Sequence, residues 1–314
     1  MFAAALREEP TNDNKTLLWV TNRSGLFSQF FQLRQMVRYA HRFKRHLVIG
    51  NFTSLHFRET TNLCDVFDLP STIGCDKESL SAEDGNRTLA SCLTSFSAKA
   101  FRTNNMTKLC FKGYLFGSRG LVSDQKRVHL VEGHPKIRFR ERYLQLFDEH
   151  VQPRLNALTR GAPYTVVHWR RGDQLTTRCK RHWVGLKDTS SNCRSAAEFI
   201  ADVRASLGSN RETVLVATNE RNESSLSVLR RAEGFKILSE LLLQPPRRPL
   251  SEIDEFVLEA LVMLRAPSLL TSGISTINDL VESARKEQGR TYCLKTVDDQ
   301  DLNWCTLNRR KTQT

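Results

Sequence analysis

The stretch Tyr164–Leu175, YTVVHWRRGDQL, runs from an apolar strand straight into concentrated charge. Thr165, Val166 and Val167 are β-branched, which suits a buried strand better than a helix because branching at Cβ restricts χ1 and packs well on a pleated surface. His168, Trp169, Arg170, Arg171 and Asp173 follow at once. Such a strand belongs in a parallel sheet, where ligands are met at the carboxyl ends of the strands. Arg170 then carries a fixed fork of donors suited to phosphate, and His168, two residues earlier, projects from the same face. The competing reading is a solvated ion-pair cluster in which Asp173 neutralises Arg170 or Arg171.

Working outward, Gly161 and Pro163 separate this strand from a long helical pattern between Lys136 and about Leu158. After it, SAAE at Ser195–Glu198 is a capping box opening a helix to about Leu207. Strand TVLVAT (Thr213–Thr218), helix ESSLSVLRRAEG and short strand FKIL follow, and QPPRRP (Gln244–Pro249) must be a loop because proline breaks both helix and ladder. A helix from about Ile253 to Arg265, the strand SLLT, the turn SGIST and a last helix from about Ile277 to Glu287 complete the series.

Nearer the start, TLLWV (Thr16–Val20) is a strand. An amphipathic helix with Phe27, Phe30, Leu33, Val37 and Ala40 at helical spacing comes next, then the strand HLVIG. Residues from about 60 to 130 show little periodicity and read as loops braced by disulfides. The expectation is therefore an α/β protein of two Rossmann-like domains facing a cleft. Residues 1–160 form the first, and residues 161–314 the second, which ends in a charged tail.

The chain has 314 residues, 39% of them hydrophobic and 26% charged, which excludes a disordered protein. Its formal net charge of +13 is spread without a long basic run, so a basic surface with one or two anion sites fits better than a nucleic-acid interface. The eight cysteines contain no Cys-x-x-Cys and fall into four local pairs. With six Asn-x-Ser/Thr sequons, at Asn14, Asn22, Asn51, Asn86, Asn105 and Asn222, they point to an oxidising, glycosylating compartment. No run reaches a membrane span. MFAAALREEP does not read as a signal peptide, so the targeting segment of a lumenal protein is not visible here.

Two further turns lie between a strand and a helix. TSGIST (Thr271–Thr276) offers backbone N–H groups, a helix dipole and the Ser275 and Thr276 hydroxyls to an anion. NRSGLFSQ (Asn22–Gln29) allows close approach of a nucleotide at Gly25.

On these stretches the chain resembles the GDP-fucose protein O-fucosyltransferase family. The strand end is similar to that family's His-x-Arg, and ISTINDLVESARKEQGR (Ile274–Arg290) to its C-terminal signature. SGLFSQFFQLRQMVRYAHRFKRHLVI, DVFDLP and VLVATNE match further segments. Phe27 and Ser28 stand where the family has Gly and Asn, and Ile277 where it has an aromatic.

The resemblance implies a GT-B glycosyltransferase with GDP-fucose as donor and no required metal, residues 1–160 lying on the acceptor side and residues 161–314 binding the GDP-sugar; Asp299 and Asp301 read as solvated tail. Arg170 would be catalytic, at the diphosphate. Gly25, Leu26, Ser28, His168, Asp173, Ser275, Thr276 and Ile277 would bind substrate, and Glu259 would read guanine. The acceptor would be a Ser or Thr hydroxyl of a secreted protein domain, in the endoplasmic reticulum or Golgi. A glycan acceptor, or a catalytically silent relative that binds nucleotide sugar or glycoprotein, stays open. Asp173 and Glu220 are the visible candidates for a base.

Overall fold

The computed structural model describes residues 16–20, 26–42, 44–53, 60–71, 73–75, 108–112, 138–172, 193–208, 212–242, 250–272 and 275–287. The chain divides into two compact units, 1–141 and 142–314.

In the first unit, β1 (Thr16–Val20), β2 (His46–Ile49), β5 (Ile73–Cys75) and β6 (Lys108–Lys112) form a parallel sheet in the order β5-β2-β1-β6. A short antiparallel pair, β3 (Phe52–Thr53) and β4 (Thr60–Thr61), stands apart from it. Helix α1 (Leu26–Arg42) links β1 to β2 and buries Leu26, Phe27, Phe30, Leu33, Met36 and Ala40. Met36 thus takes the place expected of Val37. The Phe67 ring lies 4.3 Å from that of Phe30 and 5.2 Å from that of Phe139. Asn62 caps α2 (Leu63–Val66) by accepting from the Cys64 N–H, and a Cys64–Cys75 disulfide ties that helix to β5. Two sheet strands, β5 and β6, lie in the region expected to be loops. IGC and KLCFK are too short and too mixed to display a period.

The second unit begins with α3 (Glu141–Leu146), a π-helical turn (Phe147–Val151) and α4 (Gln152–Thr159). Pro153 has no N–H to give and its ring would clash with the carbonyl four residues back, so the wider turn before it relieves the helix. The helix begins five residues later than the pattern from Lys136 suggested: Arg138–Arg140 are extended, with Phe139 bridging to Phe67. The helix belongs with the second unit, so the division falls at 141/142 instead of near residue 160.

Next come β7 (Tyr164–Trp169), α5 (Ala196–Leu207), β8 (Thr213–Thr218), α6 (Glu223–Arg231), β9 (Phe235–Ile237), α7 (Leu238–Leu242), α8 (Glu252–Arg265), β10 (Ser268–Ser272) and α9 (Thr276–Glu287). The four strands are parallel in the order β10-β7-β8-β9, and every residue of β7 is buried. Val167, Trp169, Val214, Val216, Phe235 and Ile237 pack with Phe199, Ile200 and Val203 of α5 and Leu229 of α6. In both units the strand earliest in the chain lies between its second and its fourth. That order creates a topological switch point between first and fourth strands, where adjacent connections leave in opposite directions and open a crevice at the carboxyl ends. In the second unit it lies between β7 and β10.

Candidate active site

Arg170 is the first residue past β7, and its Nη1 donates to Ser275 Oγ at 3.3 Å. Ser275 is buried and immediately precedes α9, which starts just past the end of β10. The guanidinium therefore meets the first turn of α9, where N–H groups without helical partners and the positive end of the dipole both favour an anion. Register explains the meeting: Thr271 of β10 pairs with His168 of β7, so the two chains leave the sheet side by side. His168 is buried, and its Nδ1 lies 2.6 Å from Asn278 Oδ1 on α9. With that oxygen accepting, the imidazole proton sits on Nδ1.

The two arginines part ways. Arg171 Nη1 pairs with Glu220 Oε2 and donates to Ser225 Oγ at 2.8 Å, and its Nε donates to the Arg194 carbonyl at 3.0 Å. Glu220 Oε1 accepts from the N–H groups of Arg221 and Asn222, both at 2.8 Å. With both oxygens engaged, Glu220 serves as a structural counter-ion. The sequence weighed an ion pair to Asp173 and a basic role for Glu220. In the fold it is Glu220, 49 residues away, that neutralises Arg171, and that separation hides the pairing from any local motif.

Glu259 lies inside α8, and burial, reinforced by Glu255, pushes its carboxyl up to about 7. The Leu26 and Ile277 side chains are buried. Thr276 is the first residue of α9, and Ser28 lies in the first turn of α1. Gly25 and Asp173 lie outside the described residues, as do Asp299 and Asp301.

Sequence reasoning missed Arg285. It is buried on α9 and donates to the carbonyls of Met263, Leu264 and Ala266 at 3.1, 3.1 and 2.6 Å, closing the end of α8. Only the apolar residues one and two turns back along the same face, Val281 and Ile277, hint that this face turns inward.

Two parallel-sheet α/β units of this strand order are Rossmann-like, the architecture of a GT-B fold. No family model matches the sequence, and no curated protein does. Among solved structures the chain is similar to POFUT1, a GDP-fucose protein O-fucosyltransferase. The GDP complex is 15% identical at TM-score 0.56, over 91% of this chain and 98% of that one. A GDP-fucose complex is 15% identical at 0.54, over 91% and 99%, and an apo form is 14% identical at 0.54, over 91% and 99%. At such identity the likeness establishes the fold.

Proposed function

We propose that this protein transfers fucose from GDP-fucose, with inversion and without a metal, to a Ser or Thr hydroxyl of a protein domain in the secretory pathway. The observation that carries the reading is the Arg170–Ser275 contact, which sets a guanidinium against a helix start at the switch point. The fold shared with POFUT1, solved with GDP-fucose, supports the donor. The Cys64–Cys75 disulfide supports an oxidising compartment.

As the glycosidic bond breaks, the anomeric carbon becomes oxocarbenium-like and negative charge grows on the departing diphosphate. Arg170, the Ser275 hydroxyl and the N–H groups opening α9 are donors held in place before that charge appears, which is where electrostatic stabilisation is most effective. His168, fixed by Asn278, positions its ring beside them. Glu259, as a carboxylate, would accept from the N–H groups of guanine.

A second reading, nucleotide-sugar binding without turnover, draws on one observation. Phe27 and Ile277 stand where the resembling family has a glycine and an aromatic, and both side chains are buried, at 2% and 6% exposure. Incubation with GDP-fucose and EDTA, with release of GDP as the readout, separates the two. Turnover in chelator supports the transferase. GDP binding without release supports the second reading, and turnover only after manganese is added overturns metal independence.

A further inference from the structure

The Arg-Arg-Gly sequence after β7 sends its two guanidinium groups to opposite sides. Arg170 reaches toward β10 and α9, whereas Arg171 is tied to residues that follow β8 and precede α5. We propose that Arg171 is a positioning residue: by anchoring the end of β7 on the β8 side, it holds Arg170 turned toward the first turn of α9. This inference rests on the reading of Arg170 as the diphosphate ligand.

The anchor is rigid in every direction. Arg171 and Glu220 side chains are 13% and 3% exposed, so neither swings in solvent. The guanidinium lies 5.3 Å from the centre of the Trp169 ring, which itself stacks on Phe199 at 4.4 Å and 12°. Cation and ring attract, and the stacked pair below cannot give way. Neighbouring backbone is held as well. Thr218 Oγ1 donates to the Trp169 carbonyl at 2.7 Å, and the Gly172 N–H donates to Asn219 Oδ1 at 3.0 Å. A β-carbon at Gly172 would stand 2.4 Å from the Asn219 carbonyl oxygen, so the chain there sits against the β8 loop with no slack. Because successive residues leave a strand end in opposite directions, fixing Arg171 fixes the direction in which Arg170 departs. A guanidinium directed in advance loses less freedom on binding, and a displacement of about 1 Å at such a contact reduces catalysis by up to about 100-fold.

The test is the affinity of GDP relative to guanosine, measured by calorimetry on the full chain. Only a contact with the diphosphate moves that ratio; a general loosening lowers both affinities together. Arg171→Met with Glu220→Gln removes both charges while keeping an acceptor for the Arg221 and Asn222 N–H groups, so neither partner is left as a lone buried ion. The expected result is a folded variant whose GDP-to-guanosine ratio falls by at least about fivefold, well within the loss a misplaced contact produces. A folded variant with a smaller fall overturns the inference. Should the double variant not fold, Arg171→Lys decides on the same threshold: it retains a cation opposite Glu220 but not the fork that also reaches Arg194 and Ser225. If the parent protein binds guanosine as tightly as GDP, the reading of Arg170 itself fails and the inference goes with it.

Discussion

Arg170→Ala removes one donor from the charge-stabilising set and leaves the fold's other ties in place. The loss of one such group typically raises a barrier by ~3 to 4 kcal/mol, so GDP release from GDP-fucose should fall by roughly 100- to 1000-fold with little change in melting temperature. A comparable drop in melting temperature would show that the residue holds the fold. Glu259 supports a prediction with a sign. Its carboxyl ordinarily loses its proton near 4.5, but in the fold it does so near 7, because burial and Glu255 both disfavour the charge. The folded state therefore holds an extra proton between those values, and this group's contribution to stability is fully present below the lower value. It declines as pH rises through the upper one, by about 3 kcal/mol in all at ~1.36 kcal/mol per pH unit. Glu259→Gln should raise the melting temperature at pH 8 more than at pH 5. Equal shifts at both would overturn the burial argument.

Helix α9 presents its start to the proposed anion while its far half is fastened to the end of α8. Arg285 does the fastening: its N–H groups satisfy last-turn carbonyls of α8 that no helical N–H can reach, at the negative end of that helix's dipole. Arg285→Met keeps the bulk of the stem but strands those carbonyls. The expected loss is about 3 kcal/mol in urea unfolding, with weaker GDP binding because the α9 start shifts. A variant as stable as the parent would mean that water replaces the guanidinium. Elements of this kind separate what was legible in the sequence from what was not. The β7 strand was readable from Thr165, Val166 and Val167, the α5 start from the Ser195–Glu198 box, which the structure closes in both directions, and the β10-to-α9 turn from its Gly and hydroxyls. The partners of Arg171 and Arg285 were not readable, since each is chosen by register and packing across distant segments while the local sequence offers only another basic residue. The β5 and β6 strands were hidden for a related reason: they are recruited by β2 and β1 as pairing edges more than by any pattern of their own.

At the scale of the molecule, both units repeat one topology, the first strand lying between the second and the fourth. Alternation of strand and helix is legible from β1 through α1 to β2 and across most of the second unit, which is why the fold class could be read from the sequence although β5 and β6 could not. If the second unit's crevice binds GDP only when folded, ligand at about 100 times its dissociation constant adds ~2.7 kcal/mol to stability. Thermal unfolding should therefore shift upward with GDP and not with UDP, whose base lacks the donor pair that Glu259 would accept. An equal shift with both nucleotides would remove Glu259 from base recognition. The close seat of Gly172 against Asn219 has a consequence for the chain's mutational history. In a library randomised over residues 170–172 together with position 220, survivors of a folding screen would keep glycine at the third place and let the second drift only with a matching change at Glu220. Survivors of a screen for nucleotide capture would keep the first two arginines as well, so comparing the two populations would divide this short segment into the part that builds the protein and the part that works for it.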